Sequence, residues 1–199
     1  MNPFLIKSNY TSENLFNEIV KCTEIQVRQI AAGIEWTLGK DPGAVLIGGA
    51  AVAHYLKGGR PLTPDMDFMS RDIPRLKSLL EEEGMGFKPL RSGHGHFLGI
   101  TVKKFNADYI DADEGLVSLN NLVLSTFQLT QFGGFAVKII NPELLAIMKL
   151  DLGRGKDIQD GFALLESGAL DKTTYMKHLH TLRNDITDYT SLLGYSEMI

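Results

Sequence analysis

Apolar residues recur at helical spacing over residues 11 to about 38, through Leu15, Ile19, Cys22, Val27, Ile30, Ile34 and Leu38, with Thr11 or Ser12 placed to cap the first turn. The spacing predicts one long helix or two joined near Thr23. Asp41-Pro42-Gly43 marks a turn, and Ala44-Val45-Leu46-Ile47 is a short, continuous apolar run of the kind a buried strand shows. Gly48-Gly49 ends that strand, and residues 50–56 return to a helix-compatible pattern closed by Lys57-Gly58-Gly59-Arg60-Pro61.

Asp65-Met66-Asp67-Phe68-Met69 alternates polar and apolar, the period of a half-buried strand, which puts both carboxylates on one face. A helix is predicted from Pro74 through Leu76, Leu79 and Leu80 to a stop at Gly84. Residues 97–102, 107–112, 122–130 and 135–140 read as further strands. Short connections between most of them predict a largely antiparallel sheet. From Pro142 onward the pattern is helical, with Leu144, Leu145, Met148 and Leu152 on one stripe and further apolar stripes to the end. The expected organisation is an α+β core over residues 1–141, with an N-terminal helix, and a helical subdomain over residues 142–199 packed on it.

Composition changes this picture little. Hydrophobic residues make up 44% and charged residues 22% of the 199-residue chain, as in ordinary folded proteins. The net charge of −4 argues against a dominant, non-specific grip on nucleic-acid phosphates, although Arg91, Lys103, Lys104 and Lys138 could line one side of a cleft. A single cysteine, Cys22, excludes an internal disulfide and a thiolate zinc cluster. No signal peptide is read, because residues 1–7 have neither a basic n-region nor a long apolar h-region, and no membrane span, because the most apolar window, residues 44–56, is short and broken by Gly48, Gly49 and His54. A cytoplasmic protein without a membrane partner is expected.

Candidate chemistry concentrates around the glycines. A strand that ends in Gly48-Gly49 and opens a helix brings backbone N–H groups and the positive end of a helix dipole close to an anion. The same glycines also suit a plain tight turn. Asp65 and Asp67, about 7 Å apart along a strand, are placed to share a divalent cation such as Mg²⁺, or else decorate an exposed strand face. A third carboxylate is expected from Asp108 or Asp111, which alternation puts on opposite faces; Asp108 is preferred because Asp111 lies where a turn would use acids anyway. Lys149 sits on an otherwise apolar helix, so it either points at an anionic ligand or pairs with Asp151 or Asp157. Asp157 and Asp160 fit the solvated first turn of a helix. His94, His96, His178 and His180 lack the partners of a zinc set and read as loop and surface residues, His54 as a packed side chain.

Gly48-Gly49 followed, after fifteen residues, by Asp65-Met66-Asp67-Phe68 resembles the nucleotidyltransferase signature of the DNA polymerase beta superfamily. The stretch from Gly48 through Arg60-Pro61-Leu62-Thr63-Pro64 to Phe68 is similar in particular to the AbiEii-type toxin nucleotidyltransferases, with Arg60 and Thr63 matching an Arg and a Ser/Thr ahead of the paired acids. Asn141-Pro142-Glu143-Leu144 to Lys149, then Arg154-Gly155-Lys156-Asp157-Ile158-Gln159-Asp160, is similar to that family's helix with a phosphate-facing Lys and its following segment. The resemblance implies a nucleotidyltransferase fold, a small mixed sheet flanked by helices. It implies Mg²⁺-dependent transfer of a nucleoside monophosphate from an NTP to a hydroxyl on RNA, protein or a small molecule. Asp65, Asp67 and Asp108 would be the catalytic metal ligands, and Gly48, Gly49, Thr63 and Lys149 would bind the nucleotide. A toxin of a toxin–antitoxin or phage-defence pair, with a cognate antitoxin as partner, follows from the same resemblance. The alternative is a catalytically silent nucleotide- or RNA-binding module of the same fold.

Overall fold

Thr23 settles where the first described helix begins. In the computed structural model, which describes residues 23–57, 64–92 and 97–199, helix α1 spans Glu24–Lys40. The Thr23 side chain accepts from the Gln26 N–H while the Gln26 side chain accepts from the Thr23 N–H, a reciprocal cap that fixes the start. The part of the expected helix before Thr23, with Cys22, lies outside the described residues. The remaining helices, numbered over the described chain, are α2 (Gly48–Tyr55), α3 (Ile73–Glu82), α4 (Val117–Thr126), α5 (Pro142–Leu152), α6 (Gly155–Glu166), α7 (Lys172–Thr181) and α8 (Tyr189–Tyr195). The strands are β1 (Val45–Ile47), β2 (Met66–Ser70), β3 (Lys88–Ser92), β4 (Phe97–Val102), β5 (Ala107–Asp111), β6 (Gln128–Phe132) and β7 (Phe135–Ile139).

These strands form one seven-stranded sheet in the order β3-β4-β5-β2-β1-β7-β6. Neighbours joined by short turns are antiparallel, as expected, but β2 with β5 and β1 with β7 run parallel, so the sheet is mixed. The expected α+β class, a mixed sheet flanked by helices with a helical C-terminal run, is observed. The central strands β1, β2 and β5 bury Val45, Leu46, Phe68, Met69 and Tyr109 in one continuous apolar core.

Two departures from the sequence pattern matter. Residues 122–130 do not form one strand; α4 occupies Val117–Thr126, and the strand begins only at Gln128. Leu119 and Val123, four apart and buried, set a helical stripe, and Phe127 caps the helix just before the strand. The pattern does not predict β3, because Pro89 and the charged Lys88 and Arg91 mask an edge strand, where the lost donor and the charges are tolerated.

One sheet face carries α1. Trp36 packs its ring 5.5 Å from Phe105 and 6.0 Å from Tyr109, and Tyr109 stacks at 5.7 Å on Phe68, its register partner across β2. On the C-terminal side α5 is buried along nearly its whole length, residues 142–150. α6 lies directly against α5, close enough that a Cβ on Gly161 would fall 2.6 Å from Leu150 Cγ. Among the described residues no helix is long and apolar enough to cross a membrane.

Candidate functional site

The C-terminal end of β1 and the N-terminal ends of β2 and β5 meet at one end of the central strands. Ile47 pairs in register with Asp67, and Asp67 pairs in register with Asp108. Neighbouring strands lie about 4.8 Å apart and in-register residues point to the same face, so both carboxylates project together. Alternation sends Phe68 and Tyr109 to the opposite, aromatic face, where they anchor the two strands. Asp65 lies one residue ahead of β2 rather than within it.

All three acids line one cleft. Its polar lobe, about 340 Å³, is bounded by Gly49, Asp65, Asp67, Asp108, Lys149, Arg154, Lys156 and Asp157. An adjoining lobe of about 130 Å³ shares Asp67, Asp108, Lys149 and Arg154 and adds an apolar wall that includes Ile47, Leu90, Ile110 and Met148. Asp111, on the other face of β5, lines neither lobe and accepts from the Asp113 N–H.

Each carboxylate has its own tether. Asn106 Nδ2 donates to Asp65 Oδ1 at 2.7 Å, the Gly49 N–H donates to Asp67, and the Thr101 hydroxyl donates to Asp108 from the neighbouring strand. Gly48 makes room for this arrangement: its φ of +66° suits glycine, and a Cβ there would lie 1.9 Å from Asp67 Oδ2. The glycine pair therefore seats Asp67 directly. Burial, then the charge of Asp108, push the Asp67 carboxyl up to about 6, against the opposing pull of Lys149 and the Gly49 N–H. Burial and Asp65 likewise raise Asp108, against the Thr101 hydrogen bond.

The cationic wall comes from α5 and the start of α6. Lys149 is buried, with Nζ 2.6 Å from Asp157 Oδ1 and 3.4 Å from Asp160 Oδ2. Arg154 Nε donates to the other oxygen of Asp157. Burial pushes the Asp157 carboxyl up, but the Arg154 and Lys149 hydrogen bonds outweigh it and hold the group below the usual carboxylate range. Asp157 and Asp160 are thus buried counter-charges, not the solvated first turn that the pattern predicts. Lys149 takes the Asp157 pairing and also lines the cleft.

Arg154, Lys156 and Asp157 also line the cleft, beyond the site residues that the sequence predicts. Their signal was the Arg-Gly-Lys-Asp run just past Gly153, whose left-handed conformation ends α5 and turns the chain back across the cleft. The basic residues expected there lie elsewhere: Lys103 and Lys104 are exposed on the β4–β5 turn, Lys138 sits 4.7 Å over the Phe127 ring, and Arg91 lines neither lobe. Thr63, Arg60, His94 and His96 fall outside the described residues. His54 packs beside Tyr55 and Phe132, as expected. His180 is exposed, but His178 is buried on α7 rather than at the surface, since it faces α5 and the Glu143 charge.

Among the described residues, no three acidic, His or Cys groups converge tightly enough to form a ready-made cation cage. The donor set still fits a hard cation. It is all oxygen, the neighbouring acids raise the proton affinity of Asp67 and Asp108, and a glycine cradle is shaped around one carboxylate. Mg²⁺ is ordinarily held by one or two carboxylates, with water and substrate phosphates completing its shell, so a complete protein cage is not required.

No protein-family model matches the chain, and no curated protein matches it. Among solved structures it is similar to the Megavirus polyadenylate synthase, at 15% identity and a TM-score of 0.49, over 87% of this chain and 40% of that one. It is also similar to an antigenic nucleotidyltransferase-like protein from Paracoccidioides brasiliensis, at 16% identity and a TM-score of 0.43, over 87% of this chain and 92% of that one. The chain thus spans 40% of the length of the polyadenylate synthase.

Proposed function

We propose that the chain is a Mg²⁺-dependent nucleotidyltransferase that moves a nucleoside monophosphate from an NTP to an acceptor hydroxyl. The reading rests on one observation: Asp65, Asp67 and Asp108 share a single polar lobe with Lys149, Arg154 and Lys156, with Asp157 pairing two of the cations. The carboxylates suit metal cations and a proton acceptor, and the cationic side chains suit a triphosphate. The acceptor oxygen would bond to the α-phosphorus while the bond to the departing pyrophosphate breaks.

Asp65, Asp67 and Asp108 would hold the Mg²⁺. When bound, it would offset triphosphate charge and make an acceptor hydroxyl more acidic. Asp108, half-buried at the mouth of the apolar lobe, would accept the hydroxyl proton. Gly48 and Gly49 line the cleft, so the glycine turn would bring the triphosphate close to the positive end of α2, with the Gly49 N–H already committed to Asp67. An ammonium has three donors, so Lys149 can keep Asp157 and still offer a hydrogen to a phosphate, with Arg154 and Lys156 adding charge at the outer rim. On the AbiEii-type resemblance, the acceptor would be RNA or protein, the chain a cytoplasmic toxin, and its partner a cognate antitoxin.

The test is incubation of the chain with each labelled NTP, Mg²⁺ and total RNA or protein extract. A labelled product that needs Mg²⁺ and disappears in Asp67→Ala is expected. Nucleotide binding without incorporation into any acceptor would instead support a silent binding module.

A further inference from the structure

Asn106 lines neither lobe of the cleft, yet it makes three contacts with the segment that carries Asp65. It closes the β4–β5 turn with a left-handed φ of +50°. Its side-chain Nδ2 donates to Pro64 O at 2.9 Å and to Asp65 Oδ1 at 2.7 Å, and its backbone carbonyl accepts from the Met66 N–H at 3.0 Å. Both side-chain neighbours are acceptors, so the amide must present its NH₂ end to them. Residue 106 also directly precedes β5, which carries Asp108.

We infer that Asn106 is a positioning residue that fixes the Asp65 carboxylate toward the cleft and ties it to the strand bearing Asp108. Asp65 is exposed and lies just ahead of β2, so no strand pairing or packing limits its rotamers. The amide occupies one of its oxygens and leaves the other for a cation. A charge-assisted bond to one carboxylate oxygen orients the second, as outer-shell partners of metal-binding carboxylates generally do. Asparagine suits the position twice over, because it tolerates the left-handed backbone and supplies two donors on a short side chain. The inference rests on the proposed cation-binding role of the cleft.

The test separates backbone from side chain. Asn106→Gly keeps the left-handed conformation and the carbonyl to Met66 but removes the amide. Mn²⁺ alone, titrated into the full chain and followed by electron paramagnetic resonance up to millimolar concentration, gives an affinity that does not depend on turnover. Asn106→Gly is expected to bind Mn²⁺ about tenfold more weakly, the low end of what loss of an outer-shell partner does, with its metal-free melting nearly unchanged. In an Asp65→Asn background the same substitution should have no further effect. Equal affinity in Asn106→Gly and the unmodified chain overturns the inference while leaving the cation site intact. A full loss that persists in the Asp65→Asn background also overturns it. An unmodified chain that binds no Mn²⁺ overturns the parent reading and the inference with it. Should Asn106→Gly fail to fold, the Asn106 side-chain amide resonances of the unmodified chain serve instead: they should shift with Mg²⁺, and static resonances would overturn the inference.

Discussion

Gly48 and Asp67 occupy mutually exclusive space: a Cβ on residue 48 would fall 1.9 Å from Asp67 Oδ2. Gly48→Ala therefore has to displace the carboxylate or reshape the β1–α2 turn, and it adds about 1–2 kcal/mol for an alanine at positive φ. The variant is expected to melt below the parent and to lose the stabilisation that Mg²⁺ gives it. Thermal melts with and without Mg²⁺ measure both effects. An undiminished Mg²⁺ response would mean that Asp67 does not need this seat.

Asp67 gives the cleft a pH signature. Its carboxyl titrates near 6 in the fold against 3.8 unfolded, because burial and Asp108 oppose its charge. The metal-free native state therefore holds a proton through a window in which the unfolded chain has lost it, and stability falls as pH rises through that window. By pH 7 the ionised carboxylate costs on the order of 2–3 kcal/mol. Since Asp108 is also raised, the pair titrates together and a fit yields values for the pair. Asp67→Asn should be more stable than the parent at pH 7–8 in chelator and should converge with it below pH 4. Urea unfolding at both pH values checks this, and a destabilised Asp67→Asn at pH 8 would contradict it.

Much of this arrangement is visible in the bare chain, because the alternation around Asp67 and Asp108 is a local property that folding preserves. Phe68 and Tyr109 take one face of the sheet, so Asp67 and Asp108 must take the other. What local pattern does not carry is strand order. That β2 and β5 lie side by side and in register, which joins Asp67 to Asp108, is a long-range fact of the sheet. The Lys149 cluster was hidden for a similar reason. A first-turn aspartate looks alike whether it meets water or the ammonium of a neighbouring helix, and only the close approach of α5 to α6 decides for Asp157. Asn106 gave a turn signal but no hint of Asp65, which is distant in sequence.

The Lys149–Asp157–Arg154 network predicts an order of damage. Asp157 is the shared anion, so Asp157→Ala takes from buried Lys149 its partner at 2.6 Å and leaves Asp160 at 3.4 Å, and the loss should be about 3–5 kcal/mol. Lys149→Met removes a cation but leaves Asp157 paired to Arg154, and methionine fills much of the vacated volume, so a smaller loss of about 1–3 kcal/mol is expected. Urea midpoints rank the two. The reverse order would show that Arg154, itself largely exposed, does not hold Asp157 alone.

Tyr109 separates strand positioning from stability. Its hydroxyl lies 2.7 Å from Thr37 Oγ1, which donates to Gly33 O, and its ring stacks on Phe68 directly behind the Asp67–Asp108 pair. Tyr109→Phe keeps the ring and loses the hydroxyl contact, which should cost about 1 kcal/mol of stability and leave cation affinity unchanged. Tyr109→Ala removes a fully buried ring, costs about 3–5 kcal/mol and frees β5 to shift beneath Asp108, so affinity should fall as well. Melting and Mn²⁺ titration of the two variants side by side decide the matter. If Tyr109→Phe already weakens cation binding, the hydroxyl contact to α1 rather than the stacked ring sets the position of Asp108.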